Sequence, residues 1–365
     1  MTEIAHRLAP RQTMTLVGHD AAERAFLDSW KAGRMQHAWL IGGQRGIGKA
    51  TLAYRIARFV LAAAADGHTD RADGAGPGQQ GLAVPASHPV SRQVATGSHP
   101  DLLTVERTVN RNSGKLRSEI VVDDVRQASS FLALTTAAGA WRVIVVDAAD
   151  EMNRNAANAL LKRLEEPPPR TLFLLICHRP GQLLPTIQSR CRKLHLAGLS
   201  EDGLRDLLSI QAPDLPESDR LAIARLSDGS VGRALTLIDA GGLELYREFV
   251  GLLKGLSHLD IRAVQALANK VGRAGSDASF ELFGQLVDRW LSRMILGWAR
   301  GSDAPDVFEG EGGAVEVFRR SGNLAKWLEV WEKLAHLVSR AGSANLERKQ
   351  VVINVFLALH ALVRD

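Results

Sequence analysis

Cysteine is almost missing from the 365 residues: only Cys177 and Cys191 occur. Two thiols cannot build a four-cysteine zinc module or a disulfide framework, so no zinc is expected, and their scarcity predicts a reducing, cytosolic setting. Long apolar runs are missing too. The longest, "FVLAAAA", falls far short of the roughly 20 residues that cross a bilayer, and no membrane partner is expected. The first residues, "MTEIAHRLAPRQ", lack the charged-then-apolar order of a secretion signal, which again predicts a cytoplasmic protein. The 11 histidines form no ligand-spaced pair on a predicted helix, which argues against a metal site. Charge of one sign is not in large excess either. A net +5 allows contact with nucleic acid without demanding it, and reads as scattered solvated arginines.

What is present is an ordinary globular balance, 45% apolar and 23% charged, in a chain long enough for two or three domains. Up to about Leu196, buried strands alternate with helical patterns. "HAWLIGG", "HPDLLTVER", "WRVIVVD", "TLFLLICH" and "RKLHL" read as strands. "KATLAYRIARFVLAAAA" and "RNAANALLKRLEEPPPR" read as helices, the latter stopped by Pro167–Pro169, and "IVVDDVRQASSFLALTT" as a strand end and a helix capped by Asp123 or Asp124. That alternation predicts a parallel, doubly wound α/β sheet. Residues 66–98, rich in Gly, Ala, Pro, Asp and Gln, read as an exposed, flexible insertion. Beyond Leu196 only helical patterns recur, with a break at Gly241–Gly242 and a flexible connection at Gly301–Ala314. Trp290, Trp298, Trp327 and Trp331 lie in apolar helical patterns and read as core or subunit contacts rather than base-stacking platforms.

The chemistry gathers at "GGQRGIGKAT". Gly43, Gly48 and Lys49 meet the phosphate-loop pattern G-x-x-x-x-G-K-[ST], with a strand before and a helix after. Gly43, Gly46, Ile47 and Gly48 would supply backbone N–H groups, and Lys49 the cation, for a bound phosphate. The next position should give a hydroxyl to Mg²⁺, and Ala50 has none. Thr51 lies one residue further, about 100° round the helix. Asp147, ending "VIVVD", is the natural metal-orienting carboxylate, but Ala148 follows where an active ATPase has a glutamate. Asp150 and Glu151 read as a helix cap and first-turn charge in preference to a displaced catalytic carboxylate. Two alanines in one pocket predict no ATP turnover by this chain, while retained Lys49 leaves ATP or ADP binding without cleavage open.

Taken together, "HAWLIGGQRGIGKATLAYRIARF", "HPDL", "RVIVVDAADEMNRNAANALLKRLEEPP" and "LFLLICHRPGQLLPTIQSRCRKLHL" resemble the clamp-loader branch of AAA+ proteins. Within that branch they look most like the delta-prime family of bacterial DNA polymerase III. The likeness is dense over about residues 10–240; beyond, only length and helical character agree. It implies an AAA+ P-loop domain at 1–196, a helical lid at 197–240 and an all-α collar at 241–365. It implies a stator subunit in a five-membered ring with motor ATPase subunits and delta, supporting ATP-driven loading of a sliding clamp on primed DNA. It also implies that Arg190, in Ser189-Arg190-Cys191, acts as an arginine finger on a neighbour's nucleotide. On the residues alone, Arg190 with Arg192 and Lys193 reads as a basic turn; the resemblance reverses that. The chain departs from the motor pattern again at Gly232, where a lid arginine is expected and Arg233 stands one residue along. A self-sufficient motor subunit, with Thr51 and Asp150 replacing the missing groups, is the alternative.

Overall fold

The computed structural model describes residues 9–67, 81–110, 114–133, 141–273, 277–301, 306–320, 324–343 and 347–364. They fall into two compact units, Met1–Ser200 with Gly229–Gly232, and Glu201–Asp228 with Arg233–Asp365.

The first unit runs α1 (Asp20–Lys31), β1 (Ala38–Gly42), α2 (Lys49–Ala65), α3 (Pro89–Thr96), β2 (Leu102–Glu106), α4 (Val122–Ala133) and β3 (Arg142–Asp147). It continues with α5 (Arg154–Glu165), β4 (Thr171–Cys177), α6 (Pro185–Gln188) and β5 (Arg192–His195). The strands form one sheet in the order β2-β3-β4-β1-β5, every neighbouring pair parallel. Every residue of β1 and β4 is buried, as central parallel strands covered on both faces require. Alternation divides them between two layers. Trp39, Ile41, Leu172 and Leu174 pack with α1, α2 and α3, whereas Leu40, Phe173 and Leu175 pack with α4 and α5. This is the doubly wound α/β P-loop architecture that the sequence predicts.

Several elements refine that reading. Helix α1, which the sequence reading did not assign, buries Phe26 and Leu27 in the first layer. Asp124 serves α4 from inside its first turn, its carboxylate accepting the Val121 N–H at 2.9 Å, while Asp123 pairs on the surface with Arg126. The expected flexible insertion needs correction. Of residues 66–98, 68–80 lie outside the described residues, but Leu82, Val84, Val90 and Val94 are core. Pro89 opens α3 and Gly97, at φ 73°, closes it, so a stretch poor in large apolar residues still docks by burying the few it has.

The second unit is entirely helical among the described residues: α7 (Glu201–Gln211), α8 (Glu217–Ser227), α9 (Val231–Asp239), α10 (Gly242–Lys254), α11 (Ile261–Val271), α12 (Asp277–Arg300), α13 (Gly312–Arg320), α14 (Leu324–Ser343) and α15 (Arg348–Arg364). Helix α9 starts inside the strap that belongs to the first unit. Phe249, Phe283, Trp290 and Phe356 meet at ring centroid distances of 5.8–6.4 Å in its core. Trp290 and Trp327 are fully buried, while Trp298 and Trp331 are half-buried. The connection Gly301–Ala314 also differs from expectation. Residues 302–305 lie outside the described residues, but Glu311 is fully buried, pairing with Arg293 at 2.9 Å and with the Tyr246 hydroxyl. A charge that finds two partners in the core fixes a glycine-rich segment that composition alone marks as loose.

Candidate functional site

The carboxyl edge of a parallel sheet, where strands end and helices begin, is where such folds bind ligands. Here β1 ends in the loop 43–48 and α2 begins at Lys49. Gly43, Gly46 and Gly48 have φ of 146°, 81° and 103°, conformations that a side chain resists. At Gly43 a Cβ would stand 2.4 Å from the Leu196 carbonyl oxygen, so only glycine fits.

The loop is tied by its own carbonyls. Lys49 Nζ donates to the carbonyls of Gly43, at 2.7 Å, and Gln44. The Arg45 carbonyl accepts the Ser230 hydroxyl at 2.9 Å, and the Gly46 carbonyl accepts the Gly232 N–H at 2.9 Å. The Ile47 carbonyl meets His19 Nε2 at 2.6 Å, and Gly48 takes the first helical bond, from Leu52. Six consecutive carbonyls are thus engaged, leaving the loop a closed structure rather than an open turn. Neither His19 nor Ser230 was singled out from the sequence. A bond spanning 185 residues leaves no local signal.

Lys49 is 2% exposed, and burial pushes it down from its ordinary 10.5 to about 8, against the pull of Asp147 and Asp150. Asp147 ends β3, and burial pushes it up to about 6; Glu106 and Glu151 add to the rise, while Lys49 and Arg45 oppose it. Ala50 packs against the apolar layer over α2. The residues present do not fit a Mg²⁺ ion: the position after the lysine brings no oxygen, and Asp147 is followed by Ala148 where a second carboxylate would stand. Thr51 stands half-buried, one position further on α2.

Asp150 is not available for activating water. Its side chain is fully buried and accepts the backbone N–H groups of His178, at 2.8 Å, and Arg179, at 3.0 Å. Burial would raise its pKa, but these donors reverse the shift and hold the carboxyl below its ordinary range. The cap reading also needs correction, because Asn153 caps α5 through the Ala156 N–H at 2.9 Å, while Glu151 pairs with Arg107 at 2.8 Å. At the end of β4, burial pushes Cys177 up to about 12 and His178 down to about 4, leaving both neutral beside Lys49. His178 escaped the sequence reading, although its place just past a buried strand was the available signal. Arg233 lies in the second unit, where burial lowers its pKa, Arg289 adding to the fall and Asp228 and Asp288 opposing it.

The Ser189–Cys191 turn lies elsewhere. Strand β5 pairs with β1 from Trp39↔Arg192 at one end to Gly42↔His195 at the other. Because the strands are parallel, the phosphate loop leaves the His195 end and Arg190 precedes the Arg192 end. Three register steps, about 10 Å of strand, separate the two ends, and Arg190 lies beyond the far one. Its guanidinium pairs there with Glu165 at 2.7 Å and donates to the Thr186 carbonyl at 3.0 Å. Ser189 bonds the same carbonyl at 3.1 Å, and Cys191 is buried, its thiol pushed up to about 12 by desolvation. Lys49, Asp147 and the loop glycines therefore come together; Arg190 does not join them.

Among the described residues no three His, Cys, Asp or Glu side chains gather as a metal cluster, and no helix is long and apolar enough to cross a membrane. The family model described as DNA polymerase III, delta subunit, matches residues 18–200, about half of the chain. The DNA polymerase III subunit delta' of Pseudomonas aeruginosa is 34% identical over 233 residues, covering 63% of this chain and 65% of that protein. The subunit delta' of Escherichia coli K12 is 34% identical over 209 residues, covering 57% and 56% respectively. The DNA polymerase III subunit tau of the same strain is 27% identical over 245 residues, covering 65% of this chain and 34% of that protein. The chain thus spans less than two thirds of the length of each of these relatives. The matched family residues hold both the phosphate loop and the Ser189–Cys191 turn, and by that match this chain belongs to the DNA polymerase III delta-subunit family, on the side of the subunits named delta'.

Proposed function

We propose that this chain is a stator subunit of the DNA polymerase III clamp loader, supporting ATP-driven loading of the sliding clamp on primed DNA without hydrolysing ATP itself. Its partners are motor ATPase subunits and delta in a five-membered ring. The lid at 197–240 would follow the P-loop domain, and the collar at 241–365 would join the chain to that ring. Arg190 serves as the arginine finger of a neighbouring ATP site, where a fixed guanidinium meets the charge developing on the γ-phosphate.

The observation that supports this best is the separation of Arg190 from its own loop. A guanidinium at the opposite sheet edge, 36% exposed, can meet a nucleotide only on another chain. The loop's own composition agrees: Ala50 and Ala148 remove the hydroxyl and the carboxylate that turnover needs, and Asp150 is committed to the backbone after β4. That commitment weighs against the motor alternative.

In the complex assembled with its motor subunits, Arg190→Ala is expected to lower ATP turnover sharply, since a finger contributes on the order of 10³ or more at its site. The isolated chain is expected to show none. Unchanged turnover in the assembled Arg190→Ala complex would refute the trans role. Turnover by the isolated chain that disappears in Lys49→Ala would refute the stator reading. Equilibrium dialysis with labelled ATP, on the parent and on Lys49→Ala, tests retention of nucleotide without cleavage.

A further inference from the structure

The Arg190 side chain is held by two elements at once. Glu165, the last residue of α5, takes one terminal nitrogen at 2.7 Å, and the Thr186 carbonyl of α6 takes the other at 3.0 Å. Both supports are anchored in the core. Leu164 is buried and its carbonyl meets His37 Nε2 at 3.0 Å, while prolines from Pro167 prevent α5 from extending. In α6, Ile187 is fully buried, and Gln188 Nε2 bonds the carbonyls of Pro180 at 2.8 Å and Leu183 at 3.1 Å. The pair itself stands at the surface, with Glu165 48% and Arg190 36% exposed. Another chain can therefore reach the guanidinium, which has donors to spare beyond these two bonds.

Resting on the trans-arginine reading above, we infer that Glu165 is a positioning residue for Arg190. A long arginine side chain at a surface samples many rotamers, and ordering it on docking opposes association and transition-state contact alike. Two acceptors set from two rigid helices order the guanidinium before a neighbour arrives. The carboxylate offsets part of the arginine's charge, but this pair is solvent-screened, whereas a polyphosphate presents several charges to the remaining donors.

The test is a double-mutant cycle in the assembled complex, with kcat and KM for ATP measured on the parent, Glu165→Ala, Glu165→Gln, Arg190→Ala and the double variant. Loss of a surface ion pair predicts a fall in kcat of about two- to fivefold for Glu165→Ala, with KM unchanged. Glu165→Gln, which keeps an acceptor oxygen, recovers most of that loss. In the Arg190→Ala background, Glu165→Ala has no further effect, and all variants assemble in equal yield. An unchanged or raised kcat in Glu165→Ala, or an additional loss in the double variant, overturns the inference while leaving the finger reading intact. If Arg190→Ala itself leaves kcat unchanged, the finger reading fails and the inference falls with it.

Discussion

Gly232 lies directly on Gly46: its N–H donates to the Gly46 carbonyl at 2.9 Å, and a Cβ on it would stand 3.0 Å from the Gly46 Cα. The position where motor relatives are expected to carry a lid arginine is thus part of the strap that closes the phosphate loop. Ser230 holds the same strap to Arg45, and the Gly229 carbonyl accepts the Leu199 N–H at 3.0 Å. Gly232→Ala is expected to destabilise the first unit by about 1–3 kcal/mol, because backbone must shift to admit the methyl. Thermal melting of the variant checks this, and an unchanged midpoint would mean that the contact is slack. Gly232→Arg meets the same obstruction and is expected to bring no ATP turnover.

Lys49 gives a pH dependence of definite sign. Its folded pKa of about 8 lies below the ordinary 10.5, so below pH 8 the lysine is charged in folded and unfolded chains alike and the burial penalty is complete. Between pH 8 and 10.5 the folded chain has released the proton while the unfolded chain still binds it, so this group's contribution to stability rises with pH. Urea unfolding of the parent and Lys49→Met is expected to show the parent gaining about 1–3 kcal/mol on the variant between pH 7.5 and 10. A parallel response of the two chains would contradict a buried, destabilised ammonium.

Asp147 titrates with the opposite consequence. Its pKa of about 6 lies above the ordinary 3.8, so both states are neutral below pH 3.8, and stability falls as pH rises from there to 6. Asp147→Asn keeps the shape and removes the charge. It is expected to stabilise the first unit by about 1–2 kcal/mol at pH 7, with the difference vanishing below pH 4. Equal unfolding midpoints of parent and variant at pH 7 would disprove a stability cost at this carboxylate.

Glu311 is predicted to be a sensitive position of the second unit. Removing it takes the Glu311 carboxylate from Arg293, 8% exposed, and leaves the Val307 N–H without the oxygen it meets at 2.5 Å. Glu311→Ala should therefore destabilise by about 3–5 kcal/mol, and the double change Arg293→Met with Glu311→Leu by less than the single one. Denaturant melts of the three chains decide the order, and a double variant less stable than Glu311→Ala would count against loss of the Arg293–Glu311 pair as the cause.

Much of this molecule is determined by residues close to one another in the chain. The β-branched run 143–146, the glycines of the loop and the apolar spacing of "KATLAYRIARF" act over a few residues, so strands, loop and helix α2 could be read from pattern. The missing oxygens of Ala50 and Ala148 needed no coordinates, because an alanine side chain brings no oxygen in any surroundings. Only the tertiary structure decided which charges are spent and which stand exposed. Asp150 and Glu311 resemble solvated surface carboxylates in sequence, yet the side chain of each is fully buried and engaged by a distant partner. Arg190 resembles any basic turn until the register of β1 and β5 sets it at the far edge of the sheet from Lys49. Propensity and periodicity are short-ranged, whereas these roles come from packing and register between residues tens to hundreds of positions apart.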